Sequence, residues 1–242
     1  PIKLIAVDYF SPKDSGSSAD IRAYAKFDPE KLKTSLKSDL CLLGKGIFAV
    51  LIDQGAGTEP YQGITPLAGE TVSACAENYF AQSEQLPTTF NLSIIKPNGS
   101  SSQSLWRAGG IMLQSMPKRG YKKDEKHSFR NHKTFDSDRE KDDWISSKLL
   151  LATADDIELA SPGITGEQLL HRLFSIQKLE LLRRQKISFG CKCSSQKLIH
   201  ALSIYTQKEI AFMTTDEGLV TADCQFCGQH YEFEPKDLGV KG

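Results

Sequence analysis

The sequence predicts an α+β protein: a mainly β core domain with packed helices, a helical linker and a small C-terminal zinc-binding module. Three observations carry the prediction. Short β-like runs dominate the first half of the 242-residue chain. A charge-dense stretch and then helical periodicity follow. Two close cysteine pairs, Cys191-Lys-Cys193 and Cys224-Gln-Phe-Cys227, stand near the C-terminus, which is the arithmetic of a metal site rather than of scattered core thiols.

The core is expected over residues 1–117. Lys3-Leu-Ile-Ala-Val7 and residues 21–27 read as strands. Gly46-Ile-Phe-Ala-Val-Leu-Ile52 is a continuous apolar run and predicts a strand buried on both faces. Val72, Cys75, Ala76, Tyr79 and Phe80 recur at helical spacing and predict one amphipathic helix. Phe90, Leu92 and Ile94 alternate with polar residues, so that strand is expected to bury their face. Gly55-Ala-Gly57 and Pro97-Asn-Gly99 supply turns. Gly109-Gly110 before Ile111 predicts a close backbone approach or a bend.

Residues 118–186 form the expected linker. Its first part, residues 118–143, mixes both charge signs with few aliphatic side chains and reads as a solvated loop. A helix is expected from Trp144 through Leu151, with a break at Pro162-Gly163. Thr165 opens the next helix, with Gln168 as its capping-box partner, and Leu169, Leu170, Leu173 and Phe174 form its apolar stripe. Leu179, Leu181 and Leu182 add apolar content.

Residues 187–242 are the cysteine module. Ile187 and Phe189 alternate into the first pair, and Tyr231 and Phe233 alternate after the second, so each pair has a strand-like flank. Four thiolates can surround one Zn²⁺ tetrahedrally at roughly 2.3 Å each. So small a module has little core of its own, and metal binding can supply the missing free energy, ~10–16 kcal/mol in zinc-finger peptides. The first pair is tighter than the usual structural spacing, since only Lys192 intervenes. Spacing alone leaves a purely structural zinc site and a redox-active one equally open.

Composition narrows the class. Thirty basic residues balance thirty acidic ones, so nothing pulls the chain as a whole toward nucleic acid or an anionic membrane. No apolar run approaches the roughly twenty residues of a membrane span. The module carries Asp216, Glu217, Asp223, Glu232 and Glu234 and no basic stripe, which argues against a nucleic-acid-binding zinc ribbon. A thioredoxin-like enzyme would place Cys224 and Cys227 at a helix N-terminus in a βαβ setting, whereas the flanks here read as strand and turn. No phosphate-binding G-x-x-x-x-G-K-[ST] is present. Cys75, on its helix's apolar face, is expected to be a buried inert thiol, and Cys41 beside Leu42 the same. His230 is assigned to surface or packing and His200 to a half-buried helix. Met112 and Met116 are assigned to packing. Free thiols beside a thiolate site suggest a reducing, cytoplasmic compartment.

Phe189-Gly-Cys191-Lys-Cys193-Ser194 and Cys224-Gln-Phe-Cys227-Gly-Gln-His-Tyr231-Glu-Phe233 resemble the zinc-binding signature of the Hsp33 family of redox-regulated chaperones. Tyr61-Gln-Gly63, Leu67-Ala-Gly-Glu70-Thr71, Tyr79-Phe80 and Ser83-Glu84-Gln85-Leu86-Pro87 are similar to the family's core motif, and Ala108-Gly-Gly110-Ile-Met-Leu-Gln114 to its following strand. The resemblance runs from near Pro1 to about Gly239. Family members carry further sequence before the point where this chain starts at Pro1, so the core is expected to be N-terminally truncated. The charged stretch is longer than usual, which costs a surface loop little.

The resemblance implies a function and a site. The function is ATP-independent holding of unfolded proteins, with no enzymatic activity. One Zn²⁺ per reduced chain would be bound by Cys191, Cys193, Cys224 and Cys227. Oxidation would join Cys191 to Cys193 and Cys224 to Cys227, release the metal, unfold the module and loosen the linker. Leu169, Leu170, Leu173 and Phe174 would then be candidate client-binding residues. The implied partners are unfolded clients and, on activation, a second copy of the chain, with neither nucleic acid nor membrane. The alternative is a structural zinc-ribbon interaction module without redox switching.

Overall fold

The computed structural model describes residues 1–12, 14, 16–32, 39–55, 57–96, 106–116 and 138–239. The expected turn at Pro97-Asn-Gly99 and the charged residues 118–137 lie outside the described residues. The chain forms two compact units, residues 1–31 with 182–242 and residues 32–181. These units divide the chain differently from the three-part reading, because the first strands group with the cysteine module.

In the first unit, β1 (Ile2–Phe10) and β2 (Ala19–Phe27) form an antiparallel hairpin. β7 (Ile187–Phe189) adds to the other edge of β2 in parallel, with Ala19, Asp20 and Ile21 opposite Ile187, Ser188 and Phe189. Here Gly190 is a packing requirement, since a Cβ at that position would overlap the Asp20 carboxyl. α1 (Pro29–Leu32) is a single turn after the hairpin.

The rest of the first unit is the module. α7 (Ser195–Leu202) and α8 (Gln207–Met213) precede the antiparallel pair β8 (Val220–Asp223) and β9 (His230–Phe233). Ile210, Val220, Phe233 and Leu238 are buried together, with Leu198, Ile199, Leu202, Tyr205 and Tyr231 against them. This small cluster is the apolar core the module possesses.

In the second unit, α2 (Asp39–Leu43) precedes the hairpin of β3 (Ile47–Ile52) and β4 (Tyr61–Pro66). α3 (Val72–Tyr79) follows, started by Thr71, whose hydroxyl accepts from the Ala74 N–H at 3.1 Å. It runs into a π-helical turn, Phe80–Glu84, which ends with Gln85 in the left-handed region at φ 56°. β5 (Thr88–Ile95) and β6 (Arg107–Gln114) form a second hairpin. α4 (Asp138–Ala152), α5 (Asp156–Ala160) and α6 (Gly166–Leu173) complete the unit. Its core joins Leu151, Ala154, Leu169, Leu173 and Phe174 to Ile111 and Leu113 of β6. The α+β reading therefore stands, with small sheets, helices and clustered C-terminal cysteines.

Several local expectations differ. β3 is not buried on both faces: Phe48 leans on Tyr79 at 5.7 Å between ring centroids, while Ile47, Leu51 and Ile52 are exposed. Its only strand partner among the described residues is β4, and the face that carries Phe48 is the one turned to α3. In β5 Phe90 of the expected face is half-buried against Phe80, but beyond it the buried face is the reverse of the expected one. Leu92 and Ile94 are 56% and 67% exposed, whereas Ser93 is 7% exposed. The polar face turns inward because helix ends lie over it. Asn91 Nδ2 donates to the Leu151 and Ala154 carbonyls, both at 3.0 Å, and the Ser93 hydroxyl donates to the Asp156 carbonyl at 3.3 Å. Of these acceptors, Leu151 lies in the last turn of α4, where carbonyls lack an i+4 donor. Cys41 is exposed rather than buried, and Met112 and Met116 are also exposed. Residues 179, 181 and 182 belong to no helix.

Candidate metal centre

Two knuckles bring the cysteines together. The first lies between β7 and α7, where Ser194 caps α7 by accepting from the Lys197 N–H at 3.3 Å. The second lies in the β8–β9 turn. The Gly228 N–H donates to the Cys224 carbonyl at 2.8 Å and the Cys224 N–H to the Gln229 carbonyl at 2.9 Å. Gly228 takes φ +72°, a conformation glycine adopts without steric cost.

The four sulfurs lie within 4.8 Å of one another. Cys191 Sγ is 3.6 Å from Cys224 Sγ, and Cys193 Sγ is 3.5 Å from Cys227 Sγ. Four ligands tetrahedral about a zinc-sized ion at roughly 2.3 Å would stand about 3.8 Å apart. All four cysteines are free. The donor set and its spacing therefore fit a metal ion, and each short contact joins one knuckle to the other.

The electrostatics favour thiolates on one side of the cluster. The Cys193 backbone N–H, followed by the Arg22 guanidinium and the neighbouring thiols, lowers the Cys191 thiol to about 6. Cys224 is desolvated, but the Cys227 and Phe226 N–H groups outweigh this and lower it. At Cys227 the Gln229 N–H pulls down, but desolvation and the adjacent sulfurs prevail and push it up to about 12. The opposed directions, down at Cys191 and Cys224 and up at Cys227, reflect like charges crowded at one site. Tyr231 donates its hydroxyl to Cys193 Sγ at 3.1 Å, and this bond to a sulfur raises the phenol to about 12.

The other candidates fall as follows. Leu169 and Leu173 are buried at 4% and 3% exposure, Phe174 is also buried, and Leu170 is half-buried beside them. Cys75 is buried and donates to the Ala68 carbonyl at 3.3 Å. His200 is exposed on α7. His230 stays out of the cluster: its Nδ1 lies 2.7 Å from Asp223 and its Nε2 3.4 Å from Glu232. The upstream motif residues form a packing unit. Gly63 leaves room for the Tyr79 ring, and the Tyr79 and Tyr61 hydroxyls both reach Glu84 Oε1, at 2.7 and 3.1 Å. Arg22 was missed. Its Nη1 donates to Cys191 Sγ at 3.4 Å from 169 residues away, and no local sequence signal could have paired them.

A family model described as Hsp33 protein matches residues 1–234. The 33 kDa chaperonin of Caulobacter vibrioides is 30% identical over 243 residues, covering 97% of this chain and 72% of that protein. That of Ectopseudomonas mendocina is 31% identical over 240 residues, covering 98% and 70%. Among solved structures, the 33 kDa chaperonin (Heat shock protein 33 homolog) of Thermotoga maritima aligns with a TM-score of 0.62 at 19% identity, covering 96% of this chain and 75% of that one. At that identity the likeness concerns the fold.

Proposed function

Because the chain belongs to the Hsp33 family of chaperones, which are not enzymes, we propose that it is a redox-regulated, ATP-independent holdase acting in the cytoplasm. The observation that carries the reading is the cysteine cluster, four free thiols contributed by two separate knuckles. Cys191, Cys193, Cys224 and Cys227 would hold one Zn²⁺. When bound, the ion keeps the four sulfurs deprotonated and ties the knuckles together.

Thiolates are the form that oxidants attack. Cys191 with Cys193, and Cys224 with Cys227, each form one S–S bond by giving up two electrons. Hydrogen peroxide accepts them and, with two protons, leaves as two waters. Each new bond takes two sulfurs out of the ligand set. The module is then left with the Ile210–Val220–Phe233–Leu238 cluster alone, too small a core to hold it folded. Residues 187–242 serve as the switch, residues 118–186 as the linker and residues 1–117 as the client-binding and dimerising core. Leu169, Leu170, Leu173 and Phe174 are the client-binding candidates, since their burial against Ile111 and Leu113 makes both faces available once α6 lifts. Neither nucleic acid nor membrane is a partner in this reading. No described helix is long and apolar enough to cross a membrane.

The test begins with reduced, zinc-loaded protein treated with peroxide in the presence of a colorimetric chelator. Stoichiometric release, reversed by a thiol reductant plus zinc and accompanied by suppressed aggregation of a chemically unfolded client, is the expected result. Zinc that stays bound while the solution oxidises would reduce the centre to a structural site.

A further inference from the structure

Arg22 stands where the N-terminal hairpin meets both cysteine knuckles. In the β1–β2 register it lies opposite Asp8, whose carboxylate receives its Nε and Nη2, each at 2.6 Å. That pairing fixes one edge of the guanidinium to the hairpin. The other edge points to the cysteines, with Nη1 3.4 Å from Cys191 Sγ in the first knuckle. The plane is also engaged: its centre lies 4.0 Å from the ring of Phe226, which sits inside the second knuckle, and 5.3 Å from Phe10 of β1. Tyr24 of β2 meets Phe226 edge-on at 6.2 Å. Lys192, between the two cysteines of the first knuckle, places its ammonium 3.7 Å from the Phe10 ring.

Two backbone bonds run beside this contact. The Ala19 N–H donates to the Lys186 carbonyl at 2.8 Å, and the Gly190 N–H to the Ile21 carbonyl at 3.2 Å. β7, only three residues long and exposed along its length, is thus held on β2 next to Cys191. A strand so short gains little from its own ladder. Its position depends on what anchors its end, and that end is the first knuckle.

We infer that Arg22 is a positioning residue of the cysteine centre, coupling the state of both knuckles to the pairing of β7 with β2. The inference rests on the redox reading above. While the knuckles share one cluster, a rigid fork can touch a sulfur of one and an aromatic ring of the other, which a lysine's point charge cannot do. When Cys191 and Cys193 join in a disulfide, the charged acceptor of a charge-assisted bond is gone. When the second pair closes, Phe226 moves with its own knuckle. β7 then leaves, and the β2 edge at Ala19–Ile21 is uncovered as an open strand edge, a template for an extended chain.

The test uses the full reduced, zinc-loaded chain and two readouts, chelator-detected zinc release and hydrogen exchange at the Ala19 and Gly190 amides. In the wild type, peroxide should release zinc and speed both amides several-fold in step. Arg22→Met should release zinc several-fold faster and exchange both amides quickly before any oxidant is added. Gly190→Ala, which forces β7 off Asp20, should open the same amides and, because coupling is reciprocal, also speed zinc release. Arg22→Met with wild-type release and wild-type exchange overturns the inference, as do amides that stay protected after the wild type has lost its zinc. If the wild type releases no zinc, it is the redox reading that has failed. The sulfur contact is then tested separately by the thiolate-to-metal charge-transfer band of the cobalt(II) form, which Arg22→Met should shift.

Discussion

Gly109 lies inside β6, where a side chain would ordinarily help a strand. A Cβ there would overlap the Leu159 carbonyl oxygen of α5 and come within 3.2 Å of the Ala160 Cα. Gly109→Ala should therefore cost about 2 kcal/mol or more by overpacking against backbone that cannot yield, seen as a lower urea midpoint with an unchanged slope. His230 makes a second prediction. The Asp223 hydrogen bond, against some desolvation, raises its imidazole above the ordinary 6.5. A raised value means that the folded state binds the proton more tightly. The stabilisation is full below about pH 6.5 and is lost as pH rises through the raised value. An NMR titration of zinc-loaded protein should show the raised midpoint, and Asp223→Asn should bring it back toward 6.5.

At the scale of elements, local chemistry sets the helix starts and tertiary need sets the strand faces. The capping box read at Thr165 and Gln168 is present with both bonds, at 3.2 and 2.8 Å. The same signature occurs at Asp155 with Glu158 and at Thr206 with Glu209. Both were readable in the sequence as the capping-box spacing and were passed over, so α5 and α8 were not foreseen. β5 is the opposite case. Its alternation was legible but its direction was not, because the usual rule that apolar residues face inward fails where helix ends present carbonyls to the sheet. Asn91→Leu supplies the apolar residue that rule would ask for. It should nevertheless destabilise the second unit by about 1–3 kcal/mol, since it takes the Asn91 donor from the Ala154 carbonyl and leaves the Leu151 carbonyl with the Ala154 N–H alone. Denaturant unfolding checks the sign: a stabilised variant would mean that water replaces the amide.

At the scale of the molecule, each compact unit has its own cluster, Leu151–Leu169–Leu173 in one and Ile210–Val220–Phe233 in the other. Stability should accordingly be lost in parts. Replacing Cys191 and Cys193 with serine should abolish zinc binding and strip hydrogen-exchange protection from β8, β9 and α8. The amides of β5 and β6 should keep theirs. Uniform loss of protection would mean that the cysteine centre stabilises the whole chain rather than its own module.

By itself the sequence determined the α+β class, the family, the four cysteines and the helix that Thr165 opens. These follow from residue type at short spacing, and short spacing is set by local geometry that survives in any fold. The tertiary structure alone decided that residues 1–31 group with the cysteine module, that Asn91 and Ser93 rather than Leu92 and Ile94 face inward, and that Arg22 meets Cys191 across 169 positions. Each of these depends on which distant backbone or sulfur needs a partner, and a one-dimensional pattern carries no record of that need.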